Sequence, residues 1–125
     1  MEKLKFIQEQ LEALKIPYDF MEWKSDIVYP YFVGELTEEP DNTEDGLEQS
    51  TLLLNGFYRG KTSLPLAEAQ KKIKKHFHPI HGLRAQLDCG AIAVFYEGAF
   101  FVPTNEADLK RIQINLKIKE WKGDL

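Results

Sequence analysis

His76, His78 and His81 stand as H-x-H-x-x-H, and with the single cysteine, Cys89, they are the residues of this chain most suited to metal or nucleophilic chemistry. Imidazole and thiolate are both good zinc ligands. Their spacing does not match a structural zinc site, because the lone cysteine has no pair and the histidines straddle a predicted helix end and Pro79. Histidine near a helix C-terminus is also favoured by the dipole alone, so these read as surface or capping residues. A Cys89–His nucleophile would need an orienting carboxylate and a cleft, and Asp88 next door cannot be assumed to serve. The stretch Asn55-Gly56-Phe57-Tyr58-Arg59-Gly60-Lys61-Thr62 lies between a strand and a helix, as a phosphate loop would. It has three residues between its glycines where the phosphate-cradling pattern has four, which denies the backbone N–H groups their curl. Six carboxylates crowd residues 36–48: Glu38, Glu39, Asp41, Glu44, Asp45 and Glu48, with no basic residue among them. Solvated carboxylates keep ordinary pKa values and make poor general acids. Residues 41–46 depart from the D-x-D-x-D-G pattern of a calcium loop. The expectation is a chain without catalytic residues, metal or cofactor.

The elements that carry these residues follow from periodicity. Leu4, Ile7, Leu11 and Leu14 form one face of an amphipathic helix over residues 3–15, closed by Pro17. Residues 18–27 hold Tyr18, Phe20 and Trp23 without a pattern and read as irregular chain wrapping the core. A strand is predicted over 31–37, with Pro30 at its entry, and a second over 49–59. Leu52, Leu54 and Tyr58 fall on one face of that strand, and Leu53, Asn55 and Phe57 on the other. The acidic run joins these strands and is longer than the usual hairpin loop of 2–5 residues, which marks it as functional or mobile. A second helix is predicted over 64–76, with Ser63 as N-cap and Pro65 in the first turn. Its apolar stripe is Leu66, Ala69, Ile73 and Phe77, and Lys71, Lys72, Lys74 and Lys75 fill the remaining face. Short strands follow over 83–88, 91–96 and 99–103, with Cys89-Gly90 and Glu97-Gly98 as turns. Over residues 110–119, Ile112, Ile114, Leu116 and Ile118 alternate with Arg111, Gln113, Asn115, Lys117 and Lys119. That is a strand with one buried face, and its polar face is either solvated or an oligomer contact. The fold class is α+β, a mostly antiparallel β-sheet with two amphipathic helices packed on it, in a single domain over 1–125 with an acidic loop at about 37–48.

Composition narrows the function classes. With 125 residues, 43% hydrophobic, eight Phe, five Tyr and two Trp, the chain can bury one domain core. A net charge of −4 gives no global attraction to nucleic acid or anionic membrane. The helix lysines lack the aromatic interleaving of single-strand binders, so no specific nucleic-acid binding is expected. One cysteine rules out an internal disulfide. The charged N-terminus and the absence of a long apolar run point to a soluble cytosolic domain with no membrane association. A protein that acts through its surfaces is the remaining class.

Here a resemblance adds content. An amphipathic helix leads to the strand entry Tyr29-Pro30-Tyr31-Phe32-Val33-Gly34-Glu35. An acidic loop, a strand, a helix near 65–77 and a terminal alternating strand ending in Trp121 follow. This order resembles the tail terminator (tail completion) proteins of long non-contractile-tailed bacteriophages and prophages. The segment 82–103 does not align with that pattern. The resemblance implies an α+β protein that assembles with itself as a ring, typically a hexamer, on the end of the tail tube. It implies the tail tube protein and a head–tail connector protein as partners, the virion tail as location after assembly in the host bacterial cytoplasm, and no catalytic residue or cofactor. A neighbouring neck or minor tail protein is an alternative, and so is a small intracellular binding module, adaptor or immunity-like, that uses the acidic loop. For the ring, the acidic carboxylates and the four helix lysines are a complementary pair of patches.

Overall fold

The computed structural model describes residues 2–21, 29–38, 47–87 and 90–122. Helix α1 spans Glu2–Ala13 and turns Ile7 and Leu11 fully inward. It ends before Pro17 through two reverse bonds, the Ile16 N–H to the Leu11 carbonyl (3.0 Å) and the Lys15 N–H to the Glu12 carbonyl (2.9 Å). Lys15 takes the left-handed conformation, φ 60°, that this Schellman-type ending requires.

The chain then enters a six-stranded sheet: β1 Tyr18–Phe20, β2 Tyr31–Glu38, β3 Leu47–Arg59, β4 Leu83–Leu87, β5 Gly90–Val102 and β6 Leu109–Lys122, with helix α2, Leu64–His76, between β3 and β4. The strand order is β1-β2-β3-β6-β5-β4. All neighbours pair antiparallel except β1 and β2, which run parallel with Tyr18 beside Phe32. The class is therefore α+β with a mixed, mostly antiparallel sheet.

Two expectations are corrected. Residues 18–20, read as irregular, form a strand, because the Phe32 N–H bonds the Pro17 carbonyl (2.9 Å) and the Met21 N–H the Gly34 carbonyl (2.8 Å). Three residues carry too little alternation to reveal a strand whose reason for existing is its partner. Trp23 lies outside the described residues. The runs 91–96 and 99–103 are one strand, not two, and Glu97 sits at a register shift between Tyr96 and Gly98 instead of in a turn. A bulge inserts one residue without ending the ladder, since β6 continues opposite it. The proposed 89–90 turn lies partly outside the described residues, and Gly90 itself opens β5.

Register sorts the side chains. Ile112, Ile114, Leu116 and Ile118 of β6 are all fully buried, and beside them on β3 stand Gly56, Leu54, Leu52 and Ser50. Phe32 of β2, Val94 of β5, Ile7 and Leu11 of α1, and Leu66, Ala69 and Ile73 of α2 belong to the same core cluster. The odd-numbered residues of β6 point to the opposite, outer face; those from 109 to 119 are half-buried and Trp121 is exposed.

At one end of the core, Lys3 of α1 reaches Glu38 of β2 and Glu120 of β6, each at 3.1 Å, with its own side chain 8% exposed. Burial pulls the Lys3 ammonium down, but the hydrogen bonds it donates to Glu120 and Glu38 outweigh it, and its pKa is raised. A raised lysine contributes stability that is present below its unfolded value and lost as pH rises through the folded one. Lys3→Met removes the shared cation from two carboxylates, one of them largely buried. It is expected to cost about 2 kcal/mol at neutral pH, read as a lower urea midpoint.

Candidate interaction surfaces

Helix α2 forms over the expected residues, with Pro65 in its first turn and Leu66, Ala69 and Ile73 buried. Ser63 makes no capping side-chain bond; the hydroxyl of Thr62 accepts the Leu64 N–H at 3.2 Å in its place. Lys71, Lys72, Lys74 and Lys75 are all exposed. Lys74 leans toward the sheet, its ammonium 5.8 Å from the centre of the Tyr96 ring, whose hydroxyl accepts from Gln70 at 2.9 Å. Among the described residues none of the four lysines makes an ion pair. They form a cationic stripe opposite the buried one.

Of the acidic residues, Glu38 closes β2 and is tied to Lys3, and Glu48 stands near the start of β3, paired in register with Glu120. Glu48 has a further interaction and is not a free charge. Glu39, Asp41, Glu44 and Asp45 lie outside the described residues, as do Asp88 and Cys89.

The three histidines do not converge on a common point. His76 Nε2 is 2.7 Å from Gln10 Oε1, which links the two helices, and burial lowers its pKa. His78 Nδ1 accepts the backbone N–H groups of Ile80 (3.1 Å) and His81 (3.2 Å), so its ring braces the turn after α2. The His81 ring stacks on it at 4.7 Å. The His78 side chain caps this turn, whereas the His81 side chain is an exposed ring stacked on it. No cluster of metal-binding side chains occurs among the described residues. Residues 55–59, tested above as part of a phosphate loop, lie within β3, and Gly56 accommodates the Phe32 ring.

Arg59, at the end of β3, gathers an ion cluster: Asp108 at 3.1 Å and Glu106 at 2.9 Å. Hydrogen bonds to Tyr29, Asp108 and Glu106 raise the guanidinium pKa further, and the bond from Arg59 holds the Asp108 carboxyl below its usual range. The cluster is solvent-exposed and pins the turn before β6.

The outer sheet face includes the polar side of β6, which the alternation offered as either solvated or an oligomer contact without naming site residues on it. Tyr31 stacks on Phe57 (5.2 Å, 24°), and the Arg111 guanidinium lies 5.6 Å over the same ring. Arg111 Nη2 also donates to Asn55 Oδ1 at 2.9 Å. Lys119 lies 5.6 Å over Phe95. In register, Arg84 stands beside Ala93 and Ala93 beside Lys119, and Ala91 stands beside Trp121. This end of the face is a shallow groove of about 480 Å³, lined by Arg84, Ala85, Gln86, Ala91, Ile92, Ala93 and Trp121. Trp121 is 39% exposed. No described helix is long and apolar enough to cross a membrane. In comparison with known proteins, no family model and no curated sequence matches this chain.

Proposed function

We propose that this chain is a structural assembly protein of a phage or prophage tail end, which closes the tail tube as a head-to-tail ring and offers the surface that joins it to the head. In this reading both helices lie across one sheet face, and ring contacts form through charge-complementary patches. The observation that carries it is the segregation of charge: four exposed lysines on α2, and six carboxylates with no cation in residues 36–48. A ring with rotational closure needs two different patches on each copy, one meeting the other on the neighbour. Charge of opposite sign sets register and on-rate in such contacts. Its partners in this reading are other copies of itself, the tube protein and a connector protein.

The test is native mass spectrometry of the untagged protein over a concentration series. A closed oligomer near six copies is the expected result, and a strict monomer at every concentration favours a small binding module. Lys71→Glu with Lys72→Glu and Lys75→Glu should weaken assembly by about tenfold or more while leaving the urea midpoint unchanged, because exposed charges contribute little to stability. Lys74 is left in place because of its contact with Tyr96.

A further inference from the structure

We infer that the open edge of β5 at Gly98–Val102 pairs with the same edge of a second copy, antiparallel about a two-fold axis that sets Phe100 beside Phe100. This goes beyond the ring reading and uses neither of its charged patches. Along β5, strand β4 covers Gly90 to Val94, and the Phe77 carbonyl takes the Tyr96 N–H at 2.9 Å. Past that point the ladder continues on the β6 side alone. Among the described residues nothing bonds the backbone of Gly98 to Val102 from the other side. The residues that flank undescribed ones stand elsewhere: 21 and 29 on the β1 and β2 side, and 38, 47, 87, 90 and 122 at the Gly90 end of the sheet. Phe100 and Phe101 are 52% and 48% exposed on the open stretch.

The bulge decides which groups face outward. Pairs along an antiparallel ladder alternately exchange bonds and turn away from each other. The Tyr96 N–H goes to Phe77, so the Tyr96–Leu116 pair is of the second kind. By alternation along β6, so are the pairs made by Ile114 and Ile112, whose β5 partners past the bulge are Ala99 and Phe101. Those two residues therefore aim their N–H and C=O groups at the open edge.

The occupant is argued from this spacing. With Phe100 on the axis, Ala99 stands opposite the second copy's Phe101, and Phe101 opposite its Ala99. The outward groups of each copy meet those of the other, each pair exchanging both of its bonds, in an isologous contact that closes on itself. Side-chain sizes fit as well. Phe101 lies across from Ala99 and Val102 across from Gly98, a large residue on a small one each time. A Cβ added at Gly98 meets nothing within 4 Å in its own chain, so that space is open. The two Phe100 rings fall in a pair of the closer kind, where aromatic neighbours attract. No lysine, proline or other blocking residue interrupts Gly98 to Val102. The other edges are blunted, since β4 carries Arg84 and β1 is only three residues long. Five residues a side bury less than the roughly 1,200 Å² of a stable interface, so the contact is weak and forms toward millimolar protein.

Two measurements test it on the full-length chain. In the wild type, amide exchange at Ala99 and Phe101 should slow by about tenfold or more from micromolar to millimolar protein, because those N–H groups are bonded only in the pair. Cross-linking reads the register. In a Cys89→Ser background, Phe100→Cys places two thiols on the axis with Cα atoms about 4.5 Å apart, within disulfide reach. Val102→Cys sets them about 14 Å apart. Mild oxidation should join the first variant about tenfold faster than the second. Adding Gly98→Lys to the first should slow it about threefold or more, since a charged side chain then faces the second copy's Val102. Exchange that ignores concentration would overturn the inference and leave the edge to a partner's strand. Equal cross-linking at 100 and 102, or none at 100, would overturn it too. Native mass spectra at micromolar protein separate the two readings: a monomer there rejects the ring alone, and an intact ring with unchanged exchange rejects the edge pairing alone.

Discussion

Gly56→Ala is expected to destabilise the fold by about 3 kcal/mol, a large effect for the addition of one methyl group. Gly56 lies in the middle of β3, beside Phe32 on one strand and Ile112 on the other. A Cβ there would meet the Phe32 ring well inside contact distance, at Cε2, Cζ and Cδ2 together. Phe32 and Ile112 are both fully buried, so an added methyl group must displace the ring, the strand or both. Overpacking of a filled core costs about 1–3 kcal/mol and sometimes more, because backbone or rotamers must give way. Urea unfolding reads the loss as a lower midpoint at unchanged slope. The double variant Gly56→Ala with Phe32→Leu should lose less than the sum of the singles, since the smaller side chain relieves the clash. Gly98→Ala, at the β5 bulge where an added Cβ meets nothing within 4 Å, should change stability by less than about 0.5 kcal/mol. If Gly56→Ala were equally silent, the packing of Phe32 against that glycine would be wrong.

The second large effect is alkaline. Tyr18 is 8% exposed, its hydroxyl finds no hydrogen-bond partner among the described residues, and burial followed by the nearby Asp19 charge pushes its pKa up to about 12. The unfolded tyrosine ionises near pH 10. A raised folded value favours the protonated form, so the associated stability is intact below pH 10 and is lost as pH rises toward 12. Two pKa units correspond to about 2–3 kcal/mol over that window. Tyr18→Phe keeps the ring and removes the titrating group. It should flatten most of the decline between pH 10 and 12, and at neutral pH it should stabilise by up to about 1 kcal/mol, because an unpaired buried hydroxyl is lost. Lys3 and Tyr31, both raised, act in the same direction and leave a residual slope. Urea midpoints at pH 8, 10 and 11.5 for both proteins check the sign. An unchanged slope in Tyr18→Phe would place the alkaline sensitivity elsewhere.

Both effects depend on close packing around β2, a strand whose entry the aromatic-proline run marked in advance. Helix α2 was legible to its end residues because a proline, an apolar stripe and a lysine face all state the same helix within one stretch. The long strand β6 was legible because strict alternation has no other simple reading. The α2 lysines followed from the helix itself, since residues between the apolar positions must lie on the other side. Ser63 holds the N-cap position that the sequence indicated but its hydroxyl makes no capping bond, and the Thr62 hydroxyl accepts the Leu64 N–H instead; only backbone geometry decides which of the two hydroxyls is used. The groove at Trp121 was not legible at all. Its residues come from β4, β5 and β6, and residue types scattered from position 84 to position 121 carry no local signature of meeting.

By itself, then, the amino-acid sequence determined where chain segments become helix or strand, which face of each is apolar, and where charge accumulates. Those properties depend on residues a few positions apart, at periods of two or 3.6. Tertiary structure alone decided that β1 exists, that β5 runs through its bulge as one strand, and that Arg84, Ala93 and Lys119 share a row. Each of these depends on hydrogen bonding to a strand distant in the chain, and such pairing is set by which buried faces can close on one another.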